Sequence, residues 1–231
     1  FDLEGMDALD GDVGMVEVMH ALGVRQMLFA YNRNNLAGGG CHDGNIGLTD
    51  FGRDVVKEMN RLGMMVDCTH CSFRTSMDAM EASSAPVIFS HSNARALHDH
   101  ERNIRDEQII ACASTGGLVA VTGIGLFIGP KGAIIDDLVR HIDHMVELVG
   151  TDHGGVGMDS VLKVDAETRF VPDDPSYWPA SQYPETGTDC LQPEAFPRLT
   201  QALVERGYED DDVRKILGGN FFRLAERIWK P

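Results

Sequence analysis

Short apolar segments alternate with amphipathic helical segments along most of this chain. The apolar segments that read as buried strands lie at 25–31, 64–69, 85–90, 117–122 and 154–158. Between these segments, apolar residues recur at helical spacing, which predicts helices, and glycines such as Gly23 and Gly63 are predicted to end them. Strands that alternate with helices imply a parallel sheet covered by helices, so the sequence predicts the α/β class.

Two α/β architectures fit this alternation, a Rossmann sheet and a barrel. A Rossmann sheet would carry a GxGxxG turn after an early strand, and none is present. Barrel enzymes gather catalytic groups at the carboxyl ends of their strands. Polar residues stand at or just after four such ends, namely Glu4, His70, His91 and Asp159. We therefore expect one (β/α)8 TIM-type barrel domain over residues 1–231.

Only five or six strands are convincing, whereas a barrel of this type has about eight. We therefore expect the domain to be N-terminally incomplete, with its first strand or strands missing. The region near 163–193 is rich in Pro, Asp, Thr and Tyr, which predicts a long surface excursion.

Charge and hydropathy exclude several classes of partner. The formal net charge is −16, from 36 acidic and 20 basic residues, which opposes binding to nucleic acid or to an anionic membrane surface. No run of about 18 apolar residues exists, so we expect no transmembrane segment. A small zwitterionic substrate remains compatible with this charge.

The five cysteines form no even disulfide framework. Cys68 and Cys71 have CxxC spacing around His70, but no second pair exists that would complete a structural zinc site. A redox CxxC is one alternative, and small apolar residues in a reducing compartment are the other. The start of the chain lacks the features of a signal peptide, so we expect a cytoplasmic protein.

His70 and His91 are candidate metal ligands because each follows a buried strand, and they lie 21 residues apart. Neighbouring barrel strands would bring both imidazoles to one ion, and neutral nitrogen ligands suit zinc. Either histidine alone is more typical of a hydrogen-bonded structural residue. Glu4 ends a short apolar segment, where its carboxylate could bridge two metals or be a charged residue of no consequence.

Several stretches resemble the renal or membrane dipeptidases, a family of zinc peptidases that split dipeptides. They are LEG at 3–5, LGVR at 22–25, GLTDFGRDVVKEMNRLGMMVDCTH at 47–70, APVIFSHSNARAL at 85–97, HERN at 100–103, HIDHMVELVGTDHGGVGMD at 141–159 and GGNFFRL at 218–224. The resemblance implies a (β/α)8 barrel, a binuclear Zn²⁺ site, a dipeptide substrate and usually a homodimer. It implies hydrolysis by a hydroxide that bridges the two metals.

The resemblance also assigns roles residue by residue. Glu4 matches the bridging glutamate, and His70 and His91 match the ligands of the second zinc. Arg102 matches the arginine that binds the substrate carboxylate. Asp159 matches the aspartate near the attacking water and the substrate amino group.

Three positions depart from the family pattern. Tyr31 stands where mammalian members carry a histidine that contacts the scissile carbonyl oxygen, and a phenol can also donate to an oxyanion. Val161 replaces the second acidic residue of GxDFDG, which puts substrate preference in doubt. The His-x-Asp ligands of the first zinc are absent, and the one internal match, at 141–143, is expected to be a solvated helix face.

Two alternative functions remain open at this point. One is another amidohydrolase-type metal hydrolase acting on a different amide or lactone, although no lysine ends a convincing strand as such enzymes commonly require. The other is a catalytically inert metal-binding homologue. His98 and His100, which resemble a metal tract, are expected to be exposed.

Overall fold

The computed structural model describes residues 1–160 and 174–230 of the chain. The strands in this part are β1 (Asp2–Glu4), β2 (Gln26–Leu28), β3 (Met65–Asp67), β4 (Val87–Phe89), β5 (Leu118–Val121) and β6 (Gly154–Val156). The α-helices are α1 (Met15–Ala21), α2 (Asp50–Leu62), α3 (Phe73–Ala82), α4 (Asp106–Ser114), α5 (Gly125–Ile128), α6 (Ile135–Val149), α7 (Phe196–Glu205), α8 (Asp210–Arg214) and α9 (Asn220–Ile228).

Two compact units make up the chain. The first unit comprises residues 1–89, 110–118 and 221–231, and the second comprises residues 90–109 and 119–220.

The first unit is built on four parallel strands in chain order, β1 to β4. Their register pairs Glu4 with Leu28 and Leu28 with Asp67, so the carboxyl ends of β1, β2 and β3 are level. All residues of β2, β3 and β4 are buried, as expected for parallel strands covered by helices.

Local signals in the sequence position the helices of this unit. The Thr49 hydroxyl accepts a 3.0 Å hydrogen bond from the backbone N–H of Gly52 and so caps the N-terminus of α2. Gly63 ends the same helix at φ 77°, a left-handed conformation that glycine adopts without strain. Ser72 caps α3 in the same way, at 3.1 Å from the backbone N–H of Thr75.

The core of the first unit lies between the strands and α9. Met65 of β3 and Ile88 of β4 are fully buried there against Leu224, Ala225 and Ile228 of the helix. Each fully buried large apolar side chain of this kind stabilises the fold by about 1.5–3 kcal/mol. The last helix therefore holds the strands that precede the two candidate ligand histidines.

In the second unit, β5 and β6 pair in parallel, with Val119 opposite Gly154 and Val121 opposite Val156. Ile124, Phe127, Tyr183 and Cys190 form a buried cluster beside this pair. The segment that begins at Asp174 therefore contributes side chains to a core, whereas residues 163–173 of the expected excursion lie outside the described residues.

The α/β class predicted from the sequence is confirmed, since the described pairings between the named strands of each unit are parallel. Closure into an eight-stranded barrel stays a prediction. Among the described residues, no helix has the length and apolar character that a membrane span requires.

Candidate functional site

Left-handed backbone conformations mark three positions of the candidate site. The described residues other than glycine with positive φ are Asp10 (46°), Asn32 (62°), His70 (67°) and Asp159 (54°). Such conformations cost free energy in L-residues and persist where the surrounding structure imposes them, often at functional sites. Two of these four were predicted as site residues from the sequence, and Asn32 contacts one of them.

His70 follows the carboxyl end of β3 and is only 6% exposed. Its Nδ1 lies 2.7 Å from Oδ1 of Asn32. Its ring stacks on Tyr31, with centroids 4.1 Å apart and planes inclined by 23°. Both contacts hold the imidazole plane in one orientation.

Glu4 is the last residue of β1, and it pairs with Leu28 of β2. A methyl group added to Gly5, which adopts φ 114°, would lie 3.6 Å from Cβ of Tyr31. The first unit therefore brings the Glu4–Gly5 backbone, Tyr31 and His70 to the carboxyl ends of three adjacent parallel strands.

Three acidic residues belong to these strands, namely Asp2 and Glu4 of β1 and Asp67 of β3. The Asp67 carboxylate is fully buried and accepts hydrogen bonds from Nε2 of Gln26 at 3.0 Å and from the backbone N–H of Thr69 at 2.9 Å. Loss of hydration, followed by the charges of Asp67 and Glu4, raises the pKa of Asp2 to about 7, although part of that residue stays exposed. The region is therefore electronegative, which favours a bound cation.

In the second unit, His91 follows the strand-like segment 85–90 predicted from the sequence and is 6% exposed. Its Nδ1 lies 2.8 Å from the hydroxyl oxygen of Ser90. Its backbone carbonyl accepts a 3.3 Å hydrogen bond from Nη2 of Arg102. The Arg102 guanidinium therefore contacts the backbone of the candidate metal ligand His91 directly.

Arg102 is 3% exposed, and its Cζ lies 5.1 Å from the ring centroid of Phe127. Its backbone N–H donates to Nδ1 of His100 at 3.1 Å, and the His100 ring packs on Phe127 with centroids 4.9 Å apart. The prediction that His100 is exposed is wrong: it is 6% exposed, because the segment around Tyr183 covers it.

Asp159 follows β6 and carries an exposed side chain. The segment that leads to it approaches Ser90 closely, since a methyl group added to Gly157 would lie 1.9 Å from the Ser90 carbonyl oxygen. The second unit therefore brings His91, Arg102 and the backbone before Asp159 together.

The donor chemistry of the two histidines fits zinc. In each ring Nδ1 is engaged by a neighbouring side chain, so a metal would bind at Nε2, which is the usual arrangement of ligand histidines. Nevertheless, within residues 1–160 and 174–230 no three His, Cys, Asp or Glu side chains are arranged to hold one metal ion. Glu4, His70 and His91 as a ligand set therefore stay a prediction.

The His-x-Asp sequence at 141–143 has a structural role, because its histidine is buried and hydrogen-bonded to the backbone. His141 in α6 is 1% exposed, its Nδ1 accepts from the backbone N–H of Ala94 at 3.1 Å, and its Nε2 lies 2.9 Å from the Ile128 carbonyl oxygen. The expectation of a solvated face is therefore wrong for this residue, because the helix turns it inward. Burial lowers the pKa of His141.

The CxxC cysteines are buried thiols. Burial raises the pKa of Cys68 well above its ordinary value and that of Cys71 to about 12. Redox motifs require an accessible, stabilised thiolate, so these values disfavour the redox alternative. The sequence analysis missed Asn32, Ser90 and Phe127. Asn32 and Ser90 are polar residues at the ends of predicted strands, which could have singled them out, whereas no local signal links Phe127 to Arg102.

Comparison with known proteins gives a consistent result. Residues 1–166 match the model of a family described as membrane dipeptidase, peptidase family M19. An uncharacterised dipeptidase of Schizosaccharomyces pombe is 34% identical over 99% of this chain and 51% of its own length. The chain spans about half the length of the curated relatives that match nearly all of it.

Several solved structures are similar along 99% of this chain. An amidohydrolase from Pseudomonas aeruginosa superposes with a TM-score of 0.84 at 31% identity, over 72% of its own chain. A metallo peptidase from Rhodobacter sphaeroides, liganded with a phosphinate mimic of the dipeptide L-Ala-D-Ala, superposes with a TM-score of 0.81 at 26% identity, over 62% of its own chain.

Proposed function

Because the chain belongs to the membrane dipeptidase family, peptidase family M19, we propose that the protein hydrolyses dipeptides and uses zinc as its metal. The contact between Arg102 and the backbone of His91 carries this proposal. The contact joins the buried Arg102 guanidinium, which can bind a substrate carboxylate, to His91, which can bind the metal. A dipeptide has its carboxylate only a few bonds from its scissile carbonyl, so this proximity matches its size.

Glu4, His70 and His91 are the proposed zinc ligands in this chain. Two imidazole nitrogens and a carboxylate are donors that zinc accepts in hydrolytic enzymes. When bound, zinc lowers the pKa of a water ligand and polarises the carbonyl that is attacked.

Three other residues act on the substrate in this proposal. Arg102 binds the dipeptide carboxylate through its planar fork of N–H donors. Tyr31 donates its phenolic hydrogen to the oxygen that becomes negative during attack. Asp159 accepts a proton at a carboxylate oxygen and passes it to the departing amine, a contribution of about 10²- to 10⁴-fold.

The state of the cysteines bears on where the protein is located in the cell. The five cysteines are free thiols, which favours a reducing compartment, and we propose the cytoplasm. The resemblance to the family supports a homodimer.

The test is turnover by the purified full-length protein on a panel of L,L- and L,D-dipeptides. We expect release of both amino acids, loss of activity on chelation and recovery when zinc is added back. A zinc-loaded, folded protein that cleaves no dipeptide of the panel would contradict the proposal and favour an inert metal-binding homologue.

A further inference from the structure

The side chain of Asn32 contacts the candidate ligand His70. Asn32 is fully buried directly after Tyr31, and its φ of 62° lies in the left-handed region that asparagine tolerates better than most residues. Its Oδ1 lies 2.7 Å from Nδ1 of His70. The thiol of Cys41 also donates to that oxygen, at 3.5 Å.

An amide oxygen accepts hydrogen bonds and has no proton to give. The partner nitrogen of His70 must therefore carry the hydrogen, which leaves the lone pair of the neutral ring on Nε2. We infer that Asn32 is a positioning residue that fixes His70 as its Nδ1–H tautomer and so presents Nε2 to the metal. The zinc part of this inference rests on the proposed function, whereas the tautomer does not.

The backbone around Asn32 holds the amide in place from two sides. The Asn32 carbonyl accepts a 2.9 Å hydrogen bond from the backbone N–H of His42, and the Cys41 N–H donates to the His70 carbonyl at 2.8 Å. The loop that contains residues 41 and 42 therefore joins the two partners directly. Their hydrogen bond spans 38 residues of sequence, and this loop fixes its geometry.

Gly40 is the position at which this loop meets Asn32. A methyl group at Gly40 would lie 2.1 Å from the carbonyl carbon of Asn32 and 2.3 Å from the nitrogen of Arg33. Both are backbone atoms, so a side chain at residue 40 must displace the Asn32 peptide. Gly44, four residues further along, has no atom within 4 Å of such a methyl group.

A neutral amide has a specific advantage over a carboxylate in this position. It selects the tautomer without adding another negative charge to a region that already contains Glu4, Asp2 and Asp67. The ligand nitrogen is thereby prepared before metal binds, which reduces the free-energy cost of ordering the site. Partners of ligand histidines typically contribute about 10- to 100-fold to metal affinity.

The experiment is long-range ¹H–¹⁵N NMR of the His70 ring in metal-free full-length protein at alkaline pH, combined with zinc dissociation constants from chelator competition. Asn32→Gly removes the amide while allowing the same φ, and Asn32→Asp keeps an acceptor oxygen. Gly40→Ala displaces Asn32 without altering its side chain, and Gly44→Ala is the matched control in the same loop.

We expect a single Nδ1–H tautomer in the wild-type, Asn32→Asp and Gly44→Ala proteins. We expect mixed tautomers in Asn32→Gly and Gly40→Ala, with zinc binding weakened about 10- to 100-fold. A wild-type ring protonated at Nε2 would overturn the inference, as would an Asn32→Gly protein with wild-type tautomer or zinc affinity. A wild-type protein that binds no zinc would instead defeat the proposed function, and the ring spectra would still decide the tautomer.

Discussion

The guanidinium of Arg102 lies over the ring of Phe127, with its Cζ 5.1 Å from the centroid. A contact of this kind stabilises a buried cation through the negative face of the ring and leaves its charge available to an anion. Together with the hydrogen bond to the His91 carbonyl, it fixes the side chain in one position. The Arg102 side chain is therefore positioned before a substrate binds.

A preorganised arginine should distinguish a free dipeptide from one whose carboxylate is amidated. Arg102→Ala is expected to lower kcat/KM for the free dipeptide about 10- to 100-fold more than for the amide, since a hydrogen bond to a charged group is worth about 1.5–3 kcal/mol. The measurement is steady-state kinetics on the matched substrate pair. Arg105→Ala, an exposed arginine three residues away, should leave the ratio unchanged. Equal losses on both substrates would show that Arg102 does not bind the carboxylate.

Asp159→Asn should separate proton transfer from folding and metal binding. Asparagine tolerates the φ of 54° at this position as aspartate does, so the backbone should not change. We expect wild-type zinc content and thermal stability, with kcat reduced about 10²- to 10⁴-fold. Near-normal turnover would rule out the proposed proton role.

The sequence predicted the strands, the intervening helices and the glycine that ends α2 well, because these depend on local signals. Thr49 and Gly63 bound α2 by interactions within a few residues, and such interactions can be read from the chain. His70 and His91 were placed after their strands for the same reason. The short helix α5 was missed because four residues provide too little periodicity.

Contacts between distant segments were beyond this kind of prediction. The bond from His70 to Asn32 depends on two left-handed residues 38 positions apart, and no periodicity encodes that relationship. The burial of His100 depends on a packing contact with Tyr183, a residue within the expected surface excursion. His141 was misjudged because its polarity favours exposure, whereas its two ring nitrogens are satisfied inside the second unit.

The buried imidazole of His141 should make stability depend on pH. Burial lowers its pKa, so the unfolded chain takes up a proton near the ordinary value of about 6.5 while the native state resists it. The free energy of unfolding should therefore fall as the pH drops below that value, by at most about 1.4 kcal/mol per pH unit. Urea unfolding from neutral to mildly acidic pH measures this dependence.

A substitution isolates this contribution from other titrating groups, including the neighbouring His98, Arg140 and His144. His141→Gln keeps one donor and one acceptor but no titratable ring, so its stability should fall less steeply with acidification. His153→Gln, which alters a partly exposed histidine that is not among these neighbours, is the control. Parallel curves for the wild type and His141→Gln would contradict the assignment.

Zinc stoichiometry of the full-length protein tests most directly whether Glu4, His70 and His91 are metal ligands. Metal analysis should give about two zinc ions per chain, and His70→Ala combined with His91→Ala should reduce this to about one. The paired control, His98→Ala with His144→Ala, should keep both ions. An unchanged zinc content in the His70 and His91 double variant would contradict the account.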